Sequence, residues 1–534
     1  MFHLSFFLRV LVFLSLTLCT ESKAKDEALF YNDQTIDHLS TTKYEGQTWS
    51  QRYYVSSSHF AGPGHPIFLI MGGEAAAETG IYYPFIRDHL AKDFGAFVLQ
   101  PEHRFYGASQ PIHQPGNNED LKALMTSEQS MHDAVQLLRH FQIHELGCSV
   151  DRTSVDYCPV ITVGGSYPGF LSAMMRVVHP EVVDMSYAAS APMKFYSQNV
   201  LPNAYYDHIT AVAESASEGC SQAVEETLMW VVSAIGDEED SVMNVAQSLG
   251  ICPASIPSYA LSPKTFVEEL MMIVGFTFAN YNMAYYPPDS NSSLFKACQI
   301  FQNGTFDYSL RMKTFLRGIV TGLGGEGEKR HRAKGSRVGS PKLDVFFKND
   351  CVFDMSSQLP SGNNATISSG DWSGVGSGNN GKMWDFQTCS LLIEQIGFSQ
   401  ESMFPQRDWT FDWLKRHCLL RFDIVPDPSA LTKKWHFDDL VGTAKASHIL
   451  FTNGLNDGWS VSGITENLSE NILALNFVDG AHHSDLTSVG PSFQDTDAVK
   501  QGFIEINRIL QLWIAEIEEE RILNANTRIS KMSK

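Results

Sequence analysis

Short apolar runs, each bounded by glycine or polar residues, recur along the first 200 positions of the chain. Four runs predict buried strands, at residues 66–71, 94–99, 160–163 and 182–191. Between them, residues 130–141 and 170–178 carry apolar side chains at helical spacing and predict helices. Strands that alternate with helices indicate an α/β fold with a parallel, doubly wound sheet.

The pattern changes after about residue 194, where segments such as 221–235 and 264–275 predict helices. Strand patterns return at 448–452 and 472–478, and an amphipathic helix is predicted over 498–514. We therefore expect one α/β domain, residues 25–193 and 436–534, interrupted by a largely helical lid domain, residues 194–435. The lid contains a Gly/Ser-rich segment at about 322–381, which we interpret as an exposed loop.

The N-terminus predicts entry into the secretory pathway. Arg9 precedes a largely apolar run over residues 10–18, followed by small and polar residues up to position 24. This run is too short to span a bilayer and is typical of a signal peptide, here residues 1–24, with an uncleaved anchor as the alternative. Because no later segment has a long enough apolar stretch, we expect no membrane span after signal cleavage.

Cysteines and glycosylation motifs agree with this location. Outside the predicted signal peptide the chain has eight cysteines: Cys148, Cys158, Cys220, Cys252, Cys298, Cys351, Cys389 and Cys418. An even number is expected for disulfides in an oxidising compartment, and no spacing is that of a Cys-x-x-Cys metal or redox site. Candidate glycosylation sites begin at Asn291, Asn303, Asn364 and Asn467. Secretion and lysosomal or vacuolar delivery both remain open.

The net charge narrows the class of partner. A formal charge of −21 excludes a surface dominated by basic residues, so nucleic acid is not an expected partner. Such acidity is explained either by solubility or by work in an acidic compartment, where carboxylate protonation would relieve self-repulsion.

The strongest local motif is Gly164-Gly-Ser-Tyr-Pro-Gly169, which lies between a predicted strand and a predicted helix. A nucleophile elbow occupies this position in an α/β-hydrolase fold and presents a serine hydroxyl at the sheet edge. Pro168 replaces the last glycine of the usual Gly-x-Ser-x-Gly pattern. Proline is accepted in a first helical turn but disfavours helical angles in Tyr167, so an ordinary strand–helix turn is the alternative.

A serine nucleophile needs a base, and the base needs an orienting acid. The strand predicted at 448–452 leads to Asp457, and the strand predicted at 472–478 leads to His482 and His483. In α/β-hydrolases the order along the chain is serine, acid, histidine. The sequence therefore predicts a triad of Ser166, Asp457 and one of the two histidines.

Four segments together resemble the prolyl carboxypeptidase family of serine peptidases. They are the elbow, Glu102-His-Arg-Phe-Tyr-Gly107, Asn453-Gly-Leu-Asn-Asp-Gly-Trp459 and Gly480-Ala-His-His-Ser-Asp485. With weaker similarities at 35–39, 51–54, 386–389 and 403–405, the resemblance runs from about residue 31 to 514. The family includes a lysosomal Pro-Xaa carboxypeptidase, a lysosomal dipeptidyl peptidase and thymus-specific serine protease, and Gly72-Gly-Glu74 is most similar to the last branch.

The resemblance implies an α/β-hydrolase fold with a largely helical inserted lid, and a role for each motif residue. Ser166 is the nucleophile, Asp457 the orienting acid and His482 the base, while the amides of Tyr167 and Gly73 form the oxyanion hole. We place Glu74, His483 and Trp459 at the substrate-binding site. Glu74 could bind a free amine or be a solvated loop carboxylate, and His483 could bind substrate or only pack.

The resemblance also implies disulfides Cys220–Cys298, Cys252–Cys351 and Cys389–Cys418, which leaves Cys148–Cys158 as a local pair. No metal or cofactor is implied. The chain departs from the family in having Asp457-Gly-Trp459 where Asp-Pro-Trp is usual, which suggests a more mobile acid loop.

The implied activity is that of a serine exopeptidase that cleaves short peptides after proline through an acyl-enzyme, either as a carboxypeptidase or as a dipeptidyl peptidase. The alternatives are an esterase or lipase on the same fold and a catalytically inactive hydrolase-fold binding protein. The sequence leaves open the direction of cleavage, the pH optimum and the oligomeric state, a homodimer included.

Overall fold

The computed structural model describes residues 26–112, 118–236, 239–304, 306–323, 351–357, 378–487 and 490–532. The predicted signal peptide, the glycosylation site at Asn364 and most of the Gly/Ser-rich segment at 322–381 lie outside the described residues.

Eight strands form one sheet across the centre of the molecule. They are β1 (Leu29–Thr35), β2 (Thr48–Ser56), β3 (Ile67–Ile70), β4 (Phe97–Pro101), β5 (Val160–Gly165), β6 (Met185–Ala189), β7 (Ile449–Gly454) and β8 (Ile472–Phe477). Their order is β1-β2-β4-β3-β5-β6-β7-β8. β2 is antiparallel to both of its neighbours, and every other pair is parallel. This topology is that of the α/β-hydrolase fold, so the predicted fold class is confirmed.

Sixteen α-helices occur in the described part of the chain. They are α1 (Ala91–Phe94), α2 (Asn118–Leu124), α3 (Ser127–His140), α4 (Tyr167–Val178), α5 (Met193–Tyr196), α6 (Ala204–Ala216), α7 (Cys220–Ile235), α8 (Glu239–Ser248), α9 (Pro263–Met283), α10 (Ser293–Gln302), α11 (Tyr308–Thr321), α12 (Gly378–Ser390), α13 (Phe411–Phe422), α14 (Ala430–Trp435), α15 (Ser484–Thr487) and α16 (Asp497–Met532). Two π-helical turns, Phe85–Leu90 and Phe141–Glu145, join α1 and α3 respectively.

Helices cover both faces of the sheet. On one face, Leu69 of β3 packs in a cluster with Leu137 of α3 and Phe170 of α4. On the other face, Phe68 of β3 packs in a cluster with Phe503 of α16. Because both faces are covered, every residue of β3 and β5 is buried and neither strand alternates between buried and exposed positions, as expected of strands in a covered parallel sheet.

All eight strands lie outside residues 194–435, and the described part of that interval is mainly helical. Its helices share one hydrophobic cluster with a face of the sheet, through residues such as Leu228, Phe278 and Phe315. The hydrophobic core on this face of the sheet therefore extends into the helices of this interval. The domain boundaries stay a prediction, and so does the role of residues 194–435 as a lid.

Four disulfides join the pairs Cys148–Cys158, Cys220–Cys298, Cys252–Cys351 and Cys389–Cys418. The last three are the pairs that the family resemblance implies, and the first is the local pair that it leaves. The last three lie within 194–435 and the first lies beside β5. No helix in the described residues has both the length and the hydrophobicity that a membrane crossing requires.

Candidate active site

The parallel register of the sheet brings three loops to one edge. Gly165 of β5 pairs with Ala189 of β6, which pairs with Thr452 of β7, and Gly454 of β7 pairs with Phe477 of β8. The loops that follow β5, β7 and β8 therefore leave the sheet at the same edge. In open α/β sheets, ligands bind in the crevice outside this carboxyl edge.

Ser166 occupies a strained turn between β5 and α4. Its backbone has φ 66° and ψ −133°, a conformation that residues other than glycine rarely adopt, and its N–H donates to the carbonyl of Ala189 at 2.9 Å. Strain of this kind at a strand-to-helix turn is characteristic of a nucleophile elbow.

The flanking residues explain how the turn is possible. A Cβ atom on Gly164 would lie 2.0 Å from the carbonyl oxygen of Pro168, so only glycine permits so close an approach of strand and helix. α4 begins at Tyr167 despite the following proline, and Pro168 lies in the first turn, where a missing N–H costs nothing.

Asp457 and His482 are hydrogen-bonded across the loops that follow β7 and β8. The His482 Nδ1 lies 2.6 Å from Asp457 Oδ2, and Asp457 is completely buried. Asp457 Oδ1 accepts a second hydrogen bond from the backbone N–H of Trp459 at 3.1 Å. An aspartate that contacts Nδ1 leaves Nε2 of the same ring available for a serine hydroxyl, which is the tautomer that general-base catalysis needs.

His483 has a different environment from His482. Its backbone N–H donates to Ser190 Oγ at 3.0 Å, and its ring meets Tyr83 edge-on with centroids 6.2 Å apart. A Cβ atom on Gly165 would lie 2.8 Å from the His483 ring, so this ring packs directly beside the residue that precedes Ser166. The structure thus distinguishes two histidines that sequence reasoning could not separate.

Gly73 lies against Pro168, the residue that follows Tyr167 at the elbow. The first N–H groups of a helix have no acceptor within that helix, so the amide of Tyr167 at the start of α4 is suited to bind an anion. A Cβ atom on Gly73 would lie 2.6 Å from the Pro168 ring, which places the loop after β3 against the first turn of α4.

The Tyr167 side chain is held by a buried polar network that sequence reasoning missed. Its hydroxyl lies 3.1 Å from His103 Nε2 and 3.2 Å from Ser127 Oγ, and it accepts from Gln387 Nε2 at 3.1 Å. His103 Nδ1 lies 2.7 Å from the carbonyl of Arg104 and must donate there, so Nε2 accepts from the tyrosine. Burial lowers the pKa of His103 to about 4, which agrees with this neutral tautomer.

The Glu102–Gly107 segment ties this network to the rest of the core. Glu102 forms an ion pair with Arg52 and accepts from the backbone N–H groups of Ala77 at 2.7 Å and Ala108 at 3.0 Å. Arg104 is fully buried and donates to Asp133 of α3 through two bonds of 2.6 Å. The position of His103 between these two anchors was the sequence signal that could have identified it.

Glu74 lies close enough to Tyr83 and Tyr167 to affect the pKa of both side chains. Burial raises the pKa of Tyr83 and of Tyr167, and the Glu74 carboxylate adds to both shifts because a nearby negative charge opposes tyrosine ionisation. Trp459 is 5% exposed, and its Nε1 donates to the sulfur of Met283 at 3.3 Å. Its ring packs 4.9 Å from Tyr205, centroid to centroid. The substrate-binding roles of Glu74 and Trp459 stay predictions.

One group of potential metal ligands occurs in the described residues, away from the loops above. It consists of buried Asp385, Cys389 and His417. Cys389 is bonded to Cys418, and Asp385 forms an ion pair with Arg421 and lies 3.2 Å from His417 Nε2. These partners account for the cluster without a metal.

The asparagines of three candidate glycosylation sites lie in the described residues. Asn291, Asn303 and Asn467 are exposed, as a glycan acceptor must be. The Asn467 side-chain oxygen accepts from the backbone N–H of Ala474 at 2.8 Å, which leaves its nitrogen as the group for modification.

Comparisons with known proteins assign the chain to a family. The model of the serine carboxypeptidase S28 family matches residues 34–332 and 348–502. Mouse lysosomal Pro-X carboxypeptidase is 22% identical over 501 residues, covering 92% of this chain and 90% of that protein. Human thymus-specific serine protease is 25% identical over 519 residues, covering 92% of this chain and 87% of that protein.

Similarity to a solved structure is much shorter. An acylaminoacyl peptidase from Pyrococcus horikoshii overlaps 33% of this chain and 25% of that chain, with a TM-score of 0.23 and 10% sequence identity.

Proposed function

The chain belongs to the serine carboxypeptidase S28 family of serine peptidases, and we propose that it is an exopeptidase that cleaves short peptides after proline. The observation that carries this proposal is the buried 2.6 Å contact between Asp457 and His482, at the sheet edge where the strained Ser166 turn also lies. The Pro-X specificity named for relatives that match almost the whole chain supports the preference for proline.

In the proposed mechanism, His482 removes the proton from Ser166 as its Oγ attacks the peptide carbonyl. The amides of Tyr167 and Gly73 bind the oxyanion, which develops at the positive end of α4. His482 then protonates the leaving amine, and the acyl-enzyme is hydrolysed by water that His482 activates in turn. Asp457 holds His482 in the required tautomer and stabilises the imidazolium.

The proposed substrate contacts lie around this centre. Glu74, near the elbow, would pair with the free amine of a substrate, as a dipeptidyl peptidase requires. Trp459 and His483, whose ring packs against Gly165, would line the substrate-binding site. Residues 194–435 would restrict access to short peptides, because the end of α9 in this interval contacts the loops that carry Asp457 and His482.

We also propose that the protein acts within the secretory pathway, as a secreted or a lysosomal enzyme. Four disulfides are expected for a protein that folds in an oxidising compartment. The lysosomal name of several relatives supports the second destination.

The test uses one peptide with free ends and proline at its second and penultimate positions, incubated at pH 5 and pH 7 and followed by mass spectrometry. We expect loss of the last residue if the enzyme is a carboxypeptidase, and loss of the first two residues if it is a dipeptidyl peptidase. A peptide with alanine in place of both prolines is the matched control. Absence of cleavage, or equal cleavage of the alanine peptide, would contradict post-proline specificity.

A further inference from the structure

The C-terminal end of α9 contacts both loops of the proposed catalytic pair. α9 is the longest of the helices described within residues 194–435, and its last two residues are Asn282 and Met283. We propose that Asn282 is a positioning residue, which sets the orientation of Asp457 and, through Asp457, that of His482. This inference rests on the proposed function, since it assumes that these two residues are the acid and base.

Asn282 makes a hydrogen bond on each side of Asp457. Its Oδ1 accepts from the backbone N–H of Gly458 at 2.7 Å, and its Nδ2 donates to the carbonyl of Asn456 at 2.7 Å. The side chain is fully buried. One amide therefore fixes the peptide groups before and after the acid, and both would be left without this partner in a dry environment if it were removed.

The direction of the Asp457 carboxylate depends on the segment that Asn282 holds. Asp457 Oδ1 accepts from Trp459 N–H at 3.1 Å, and Oδ2 contacts His482 Nδ1 at 2.6 Å. Because both oxygens are engaged, a rotation of the 456–458 backbone would break one of these contacts. The N–H of Gly458 donates one of the two hydrogen bonds with Asn282. A proline at this position would have no N–H to donate.

Met283, the next residue of α9, is hydrogen-bonded to His482, the proposed base. Its carbonyl accepts from the backbone N–H of His482 at 3.2 Å, and its sulfur accepts from Trp459 Nε1 at 3.3 Å. Two successive residues at one helix end thus hold the acid loop and the base loop together. The geometry implies that the position of α9 determines how well the proposed pair is aligned.

The test replaces Asn282 with leucine, which has a similar shape but no hydrogen-bonding groups. The matched control is Thr277→Val on the same helix, because the Thr277 hydroxyl donates to the carbonyl of Ile273 within α9. Both variants remove a buried polar group, but only Asn282→Leu removes contacts with the acid loop. Steady-state kinetics on the proline peptide and the rate of fluorophosphonate labelling are measured for both, well below their thermal midpoints.

For Asn282→Leu we expect kcat and the labelling rate to fall about 10- to 100-fold, with KM changed less than about threefold, since misalignment affects the chemical step. Asn282→Gln, which keeps both the donor and the acceptor of the amide, should lose less activity and serves if the leucine variant does not fold. Equal kinetics for Asn282→Leu and Thr277→Val would overturn the positioning role. A wild-type protein that neither cleaves the peptide nor reacts with fluorophosphonate would instead overturn the proposed function and this inference with it.

Discussion

At the scale of single residues, the environment of each side chain separates groups that look equivalent in the sequence. His482 and His483 are neighbours, but His482 contacts the buried carboxylate of Asp457, while the His483 ring packs on Gly165. Burial decides the state of His103 in the same way, because its surroundings favour the neutral ring. Contacts of this kind come from segments far apart in the chain, so a local motif can single out a residue such as His103 but cannot show what it contacts.

The buried His103 gives a prediction about pH. Its pKa is about 4 in the folded protein and about 6.5 in an unfolded chain, so the unfolded state takes up the proton first as the pH falls. Stability should therefore decrease between pH 6.5 and pH 4, by about 3 kcal/mol at the acidic end for this group.

The measurement is urea unfolding of the wild type and of His103→Gln between pH 4 and pH 7. We expect the difference in stability between the two proteins to shrink towards acidic pH, because glutamine does not titrate. A difference that stays constant across this range would show that His103 is not buried in the neutral form.

At the scale of elements, the sequence predicted the central parallel strands well and the antiparallel edge poorly. β3, β5, β6, β7 and β8 were recognised within a few residues because each contains a short, mainly apolar run. The run at 94–99 was misplaced, since Phe94 ends α1 and β4 covers Phe97–Pro101. β1 and β2 were missed because partly exposed strands mix polar and apolar residues, as in Thr48–Ser56.

Helix ends were also difficult to place from the sequence. α9 was expected to end near residue 275 but continues to Met283, and α16 was expected to end near 514 but continues to Met532. The extra turns of α9 carry Asn282, whose side chain is hydrogen-bonded to a loop about 175 residues later in the chain. Sequence periodicity indicates that a helix exists, but it does not indicate what its end will contact.

Disulfides between elements give a second prediction. Cys220–Cys298 joins α7 to α10, and Cys389–Cys418 joins α12 to α13, whereas Cys148–Cys158 closes a short loop beside the sheet. Long loops gain more from a cross-link than short ones, so reduction should destabilise residues 194–435 before the sheet.

Limited proteolysis with and without reductant, with fragments identified by mass spectrometry, is the measurement. We expect new cleavage sites within 194–435 in the reduced protein and protection of the strands under the same conditions. Alkylation without reduction is the control. Cleavage that starts in the sheet, or that does not change on reduction, would contradict this order of stability.

At the scale of the whole molecule, the proposed site depends on distant parts of the chain. Ser166 follows the fifth strand, Asp457 and His482 follow the seventh and eighth strands, and Asn282 comes from the interval between β6 and β7. The sequence predicted that Ser166, Asp457 and His482 follow strand ends at one edge of the sheet, but it did not predict Asn282. The sequence indicated that residues 194–435 are mainly helical, but it could not indicate how these helices pack against the site. That packing depends on side-chain contacts rather than on periodicity.

The central claim is that Ser166 is a nucleophile activated by His482, and the most direct measurement is covalent labelling. The purified protein is treated with a fluorophosphonate, digested and mapped by mass spectrometry, beside His482→Ala and His483→Ala variants. We predict one adduct, on Ser166, which is lost or slowed at least about a thousandfold in His482→Ala and retained in His483→Ala. An active wild-type enzyme with no adduct on Ser166, or with undiminished labelling in His482→Ala, would contradict the account.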